Sequence, residues 1–437
     1  MSAFVEGLLD FIQKSPTPFH GVETIRNILE SSGFLALEEG RCWTLQPGGK
    51  YFVTRNRSSI LSFQLPEDGS WNGFQIVASH CDSPTFKIKS NAEITVRGEY
   101  VQLNTEMYGG TLCASWMDRP LSVAGRIIVR DENGVSTRLV KVERDMVLIP
   151  NVAIHMNRQA NDGVKYNPQV DMLPLYGDGS VSGGFLREIA AAAGVREEDI
   201  LDTDLFLYNR MPGTVWGRDG EYISSPRLDD LACAYTSLMA FLSCDVKTIH
   251  SIPVCCVFDN EEVGSTTKQG ADSTFLYDVL RRITLALGHS EEAFYMAAAS
   301  SVMLSADNAH AVHPNHPELT DPTNLVFMNK GIVIKYNARQ KYTTDAVSGA
   351  IFKQICSRAG VPVQTFFNRS DMAGGSTLGN ISNSHVSINT IDIGMPQLAM
   401  HSSYETAGSR DVDYMIDGIL AFYRSSVSIG KDGEYRF

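Results

Sequence analysis
The chain contains no Cys-x-x-Cys pair, no Lys- or Arg-dense stripe, no internal repeat and no low-complexity tract. Nor does any apolar run approach the roughly 20 residues that a membrane-spanning helix requires, so no membrane association is expected. The opening Met1-Ser2-Ala3-Phe4-Val5-Glu6 has no positive segment and meets an acid at once, unlike a secretory signal. The eight cysteines, Cys42, Cys81, Cys113, Cys233, Cys244, Cys255, Cys256 and Cys356, are scattered, several within apolar runs, as reduced core thiols are. Together these absences predict a cytoplasmic protein. Lys plus Arg number 37 and Asp plus Glu 50, a formal charge of 37 − 50 = −13. Without clustered cations, that balance argues against duplex nucleic acid as the main ligand, because phosphate binding needs them.

What is present is an ordinary globular composition, 43% apolar and 20% charged, over 437 residues. At about 150 residues per domain, the length suggests two or three domains, with enough chain to bury a large core without staples. This excludes a disordered tail, a collagen-like fibre and a disulfide-built mini-domain. Amphipathic periodicity predicts helices over Phe4–Ile12 and Phe19–Leu29, separated by Ser15-Pro16-Thr17-Pro18. Phe74–His80 reads as a buried strand. From about Ile94 to Tyr222 the character changes to short alternating strands, such as Ile94–Arg97 and Gly125–Arg130. Turns such as Tyr108-Gly109-Gly110 and Asp131-Glu132-Asn133-Gly134 separate them. After that, α/β alternation resumes: helices over Asp229–Leu242, Phe275–Leu287, Asp345–Ala359 and Val412–Ile429, and strands over Ile252–Asp259, Gly331–Lys335, Val361–Phe367 and Val386–Ile393. The expected fold is α/β, a largely parallel sheet flanked by helices, interrupted by a β-rich insertion.

Several segments carry residues able to do chemistry. His80-Cys81-Asp82 stands at the carboxyl end of a predicted strand, where residues two apart point the same way, so Asp82 can support a metal-binding His80. Taken alone, the same triplet is a strand end with an ordinary turn Asp. Asp259-Asn260-Glu261-Glu262 follows an apolar strand. Of two adjacent carboxylates, one can ligate a metal while the other takes a proton, the division that metal-assisted hydrolysis needs. A solvated acidic loop is the bland alternative. Asp229 or Asp230 can cap the following helix, or one of them can bridge two cations. His310, His313 and His316 are spaced by three, but Pro314 and Pro317 break any helix that would align them, which leaves Asp307 as the better ligand candidate there. His401 follows a strand and turn, as many histidines with no special role do. Met372-Ala373-Gly374-Gly375-Ser376-Thr377-Leu378-Gly379 is not a phosphate loop, since no Gly-Lys-Ser/Thr follows. Its amides can contact a substrate main chain, or it is a plain turn before a helix.

In order, Ser15-Pro16-Thr17-Pro18-Phe19-His20, Ala78–Pro84, Pro226-Arg227-Leu228-Asp229, Asp259–Ser265, Asp307–Asn315 and Met400-His401-Ser402 resemble the aspartyl aminopeptidase family of dinuclear metallo-aminopeptidases. Cys81 departs from the pattern, since a small polar residue is usual there. The resemblance implies that His80 and Asp307 hold one divalent ion and Glu262 and His401 a second, bridged by Asp229. The ions would be zinc, with cobalt or manganese as alternatives. It implies Glu261 as general base, Asp82 as partner of His80, and Lys335 as receiver of an acidic substrate side chain. A surface strand lysine is the bland alternative for Lys335. It also implies a catalytic domain of residues 1–93 and 223–437 and an inserted β-rich dimerisation domain of residues 94–222. Dimers would assemble into a tetrahedral dodecamer, in which His155 reaches a neighbouring subunit's site and stabilises the oxyanion. The expected substrates are peptides with a free, preferably acidic, N-terminal residue. The alternatives are a preference for neutral residues, a dinuclear deacylase or carboxypeptidase, and a catalytically silent shell protein.

Overall fold
In the computed structural model, which describes residues 2–69 and 71–437, the chain builds one large mixed sheet, one closed β-barrel, a small third sheet and a two-stranded ribbon of Ser428–Ile429 and Tyr435–Arg436. The large sheet has nine strands in the order Leu35–Leu37, Lys50–Arg55, Ser59–Gln64, Ile252–Phe258, Phe74–His80, Val302–Ala306, Asn389–Gly394, Ile332–Tyr336 and Val363–Phe367. Its four central strands, from Ile252–Phe258 to Asn389–Gly394, run parallel, and antiparallel neighbours flank them. Strand periodicity divides the side chains between two cores. Val77, Val302 and Leu304 face helices Ala3–Lys14, Pro18–Ser31, Leu228–Leu242, Ala346–Ala359 and Ser409–Ser425, whereas Ile76, Ala78 and Met303 face Phe275–Ala286 and Glu291–Ala299. Burial on both faces is why these strands read as continuous apolar runs.

Helix ends follow local chemistry. Ser2 accepts the Val5 N–H to open the first helix, and Val5, Leu8, Phe11 and Ile12 then bury one stripe. Asp345 and Ser348 form a reciprocal capping box at the helix Ala346–Ala359, which ends on left-handed Gly360. The expected final helix stops at Ser425, not Ile429, because Ser426 turns left-handed. The apolar run from Met296 to Leu304 divides between the helix Glu291–Ala299 and the strand Val302–Ala306.

The change of character expected at Ile94 falls inside a strand, Thr85–Val96, whose alternating burial begins at Phe86 and Ile88. That strand, Tyr100–Tyr108, Leu175–Asp178, Val147–Leu148, Pro120–Asp131 and Ile200–Asn209 form the barrel. Ile200–Asn209 closes it by pairing with both Thr85–Val96 and Pro120–Asp131. Gly134–Lys141 extends the ring as a hairpin partner of Pro120–Asp131. Phe86, Leu103, Trp116, Leu121, Ile127 and Leu205 fill the interior. The third sheet pairs Thr214–Trp216, Tyr222–Ser225, Glu405–Gly408, Pro396–Leu398 and Ala309–His310. Among the described residues no helix is long and apolar enough to cross a membrane.

Leu304 is fully buried in the strand that leads to Asp307. Leu304→Ala is expected to lower the free energy of unfolding by about 2–5 kcal/mol. Denaturant titration should show this as a lower midpoint with an unchanged slope.

Candidate metal centre
The parallel strands Ile252–Phe258, Phe74–His80 and Val302–Ala306 finish at one edge of the sheet, with Phe258 opposite His80. Ligands of open α/β sheets bind off that edge. The first strand leads to a short 3-10 turn, Glu261–Val263, the second ends on His80 and the third delivers Asp307. Asp229 enters from the start of the helix Leu228–Leu242, where the backbone at Asp229 and Asp230 departs from helical angles. His401, left-handed at φ 68°, lies between the third-sheet strands Pro396–Leu398 and Glu405–Gly408.

These residues converge. His80 Nε2 is 3.6 Å from Asp229 Oδ1 and 4.0 Å from Glu261 Oε2. His401 Nε2 is 3.4 Å from Glu262 Oε2 and 3.6 Å from Asp229 Oδ2, so Asp229 presents one oxygen to each histidine. Candidate donor atoms of His80, Asp229, Asp230 and Asp307 all lie within 4.8 Å of one another. Two ligands held about 2.1 Å from a tetrahedral zinc stand about 3.4 Å apart, close to the imidazole–carboxylate separations observed. Asp229 Oδ1, Asp230 Oδ1 and Glu262 Oε1 are buried and have no hydrogen-bond partner among the described residues. Orphaned carboxylate oxygens at this depth are costly unless a cation satisfies them, so the donor set fits divalent metal.

The electrostatics agree. Burial, reinforced by the Asp229 charge, pushes Glu262 well above the usual carboxylate range. Burial raises Glu261 to about 8, with His80 opposing the shift and Asp307 adding to it. Burial also raises Asp307, against the pull of Lys335. The two histidines move the other way from ordinary buried imidazoles. Burial alone would lower His401, but its bond to Asp229 raises it to about 9. His80, despite complete burial, is raised by Asp230, Asp229 and Asp82.

A layer of polar groups holds the candidate ligands. His80 Nδ1 lies 3.2 Å from Asp82 Oδ1, and the Glu261 and Glu262 amides donate to the Asp82 carboxylate at 3.1 Å each. Asp230 Oδ2 accepts the His80 amide at 3.2 Å. Glu405 is buried and accepts the Asp229 amide at 2.9 Å and the His401 amide at 2.7 Å. The centre opens into a cleft also lined by His310, Lys335, Tyr342, Phe366 and Thr377.

His80, Asp82, Asp229, Glu261, Glu262, Asp307 and His401 are therefore brought together. Lys335 joins them, but it is not a surface lysine: it is 2% exposed, and its ammonium donates to the Asp307 carbonyl at 2.7 Å and lies 3.6 Å from the Asp307 carboxylate. His155 does not join. It is exposed in the segment between the strand Val147–Leu148 and the turn Ala160–Asp162. Of the spaced histidines, only His310 lines the cleft, while His313 and His316 are exposed with ring centroids 5.3 Å apart. Gly375, Ser376 and Thr377 of the glycine-rich run also reach the cleft. Sequence reasoning missed the work of Glu405, Asp230 and Tyr108. Glu405 stands four residues after His401, and only its burial in a third-sheet strand shows its use.

The family profile described as aminopeptidase I zinc metalloprotease (M18) matches residues 11–423. This chain belongs to the M18 family of metallo-aminopeptidases. It is 46% identical over 429 residues to a probable M18 family aminopeptidase 2 of Clostridium acetobutylicum, covering 96% of this chain and 98% of that one. A protein of the same description from Pseudomonas paraeruginosa is 40% identical over 428 residues, with 96% and 98% covered. Among solved structures, a chain of the Ape4–Nbr1 complex superposes with a TM-score of 0.93 at 35% identity, covering 97% of this chain and 85% of that one. The S. cerevisiae mApe1 dodecamer gives a TM-score of 0.85 at 27% identity, covering 97% and 98%.

Metal loading of an M18 centre requires unprotonated imidazole and carboxylate donors. His401 holds its proton up to about pH 9 in the metal-free protein, so binding at pH 7 must release protons and affinity must rise with pH until His401 has titrated. Calorimetric titrations with zinc in two buffers of different ionisation heat should read a net proton release at pH 7; no release contradicts the assignment of His401 as a ligand.

Proposed function
We propose that this chain removes N-terminal residues from peptides with a dinuclear zinc-type centre, in which Glu261 is the general base. The observation that carries the reading is the convergence of His80, Asp229, Glu262, Asp307 and His401 around buried carboxylate oxygens that lack partners. In this reading, His80 and Asp307 hold one ion, Glu262 and His401 the other, and Asp229 serves both. Cobalt or manganese suits the same imidazole and carboxylate donors. When bound, the ions supply Lewis acidity and an acidified water. Glu261, held at the edge of the cleft by its backbone N–H donating to Asp82, takes the proton of the attacking water and returns it to the leaving amine. Its raised affinity for a proton, near pH 8, suits a group that must accept and release one close to neutrality.

Residues 94–222 are read as the inserted dimerisation domain, with dimers assembling into a tetrahedral dodecamer. Support comes from the dodecameric yeast relative and from exposed apolar side chains around His155: Val152 is 54%, Ile154 48% and Met156 83% exposed. A second copy covering that face would carry His155 to a neighbouring cleft, where it would steady the oxyanion. All eight cysteines are free, which suits a reducing compartment, the cytoplasm. A preference for acidic N-terminal residues rests on Lys335 in the cleft wall. One observation favours the neutral-residue alternative: the Lys335 ammonium already spends donors on the Asp307 and Asn308 carbonyls, at 2.7 and 3.3 Å.

Glu261→Gln is expected to keep its metal content while turnover falls about 10²–10⁴-fold; near-normal turnover with metal retained would overturn the base assignment. A panel of aminoacyl substrates resolves preference. Asp- and Glu-based substrates should exceed Leu-based ones in kcat/KM, and their N-acetylated forms should not be cleaved, which separates an aminopeptidase from a deacylase.

A further inference from the structure
The barrel strand Tyr100–Tyr108 ends against the metal centre, and the turn that follows it touches both halves. Tyr108 donates its hydroxyl to Asp82 Oδ2 at 2.8 Å and accepts the Asn260 side-chain amide at 2.8 Å. Asn260 is itself fixed, since its oxygen accepts Thr267 at 2.8 Å and Gln269 at 2.7 Å. With that amide donating to it, the Tyr108 hydroxyl has its own proton free for Asp82. Asp82 is then filled: Oδ1 takes the Glu261 amide and shares His80 Nδ1–H with the Asp82 carbonyl oxygen, and Oδ2 takes the Glu262 amide and Tyr108. Two residues on, the Gly110 carbonyl oxygen lies 2.9 Å from His401 Nδ1. A carbonyl oxygen only accepts, and His80 Nδ1 also lies 3.1 Å from the Asp82 carbonyl, so in its neutral form each histidine carries its proton on Nδ1 and turns a bare Nε2 towards the centre.

Glycine is what lets the turn come so close. Gly109 has φ +76°, and a Cβ there would meet Glu262 Cβ at 3.1 Å, while one on Gly110 would meet His401 Nδ1 at 3.3 Å. The Tyr108 ring packs edge-on against Phe206 of another barrel strand, with centroids 5.6 Å apart.

We propose that the Tyr108-Gly109-Gly110 turn orients both metal-binding histidines, with Tyr108 a positioning residue that acts on His80 through Asp82, so that the seating of the barrel sets metal affinity. The inference rests on the two-ion reading above. Tyr108 works on one ion through a hydroxyl, whereas Gly110 serves the other through its backbone, so one atom can be removed without disturbing the second histidine.

The test is chelator competition on purified wild-type and Tyr108→Phe proteins loaded with zinc, paired with visible absorption of the cobalt-substituted forms. Tyr108→Phe keeps the ring against Phe206 and deletes only the hydroxyl. One ion should bind about tenfold or more weakly, the other should stay within twofold of wild type, and the cobalt spectrum should shift. If both affinities stay within twofold, or both fall equally together with the melting temperature, the positioning role is overturned. Wild-type protein that binds fewer than two ions would instead overturn the reading of the centre, and this inference with it.

Discussion
Everything at the functional edge of this protein answers to one constraint, the crowding of five carboxylates around two imidazoles. Asp229, Asp230 and Asp307 are buried beside His80, and Glu261, Glu262 and His401 are partly buried at the mouth of the cleft. Like charges at such distances in low dielectric repel strongly, and each carboxylate taken from water loses its hydration. The centre is therefore a local departure from good packing that the surrounding structure must enforce. Two further acids, Asp82 and Glu405, do much of the enforcing. Both are buried, and both use their oxygens on backbone amides as well as on the orientation of ligands, so the groups bearing charge towards the centre cannot relax away from it.

Three structural units share the task, and each contributes what its geometry suits. The parallel strands bring His80, the Glu261–Glu262 turn and Asp307 to one edge with little freedom. The small third sheet brackets Asp229 and His401 through Tyr222–Ser225, Pro396–Leu398 and Glu405–Gly408. The barrel contributes no candidate ligand but abuts two of them at Gly109 and Gly110. Rigid elements hold such constellations better than free loops do. Here even the loop residues are pinned by hydrogen bonds to Asp82, Glu405 and Gly110.

Much of this was legible in the sequence. The strand Phe74–His80 and the helix Phe275–Ala286 follow their periodicity to within a residue, because burial against one or two faces imposes that pattern directly. The candidate ligand set came from the order of motifs along the chain, since spacing carries no signal for residues joined only by the fold, and the structure brings those candidates together. What stayed hidden was pairwise geometry. Nothing local marks Ile200–Asn209 as the strand that closes a barrel on two neighbours, so the onset of the β-rich segment was placed nine residues late, at Ile94 and not Thr85. Tyr108 read only as the start of a turn. Lys335 could be an exposed lysine until its burial beside Asp307 was visible, because strand position alone does not say which face is covered.

The candidate ligands span the chain from His80 to His401, a separation of 401 − 80 = 321 residues. On a ribosome, no nascent chain that has yet to expose residue 401 can assemble the full constellation, and loop-closure entropy delays it further. The set of candidate donors is thus completed late in biosynthesis, and a prematurely terminated product lacking that histidine would not hold all of it.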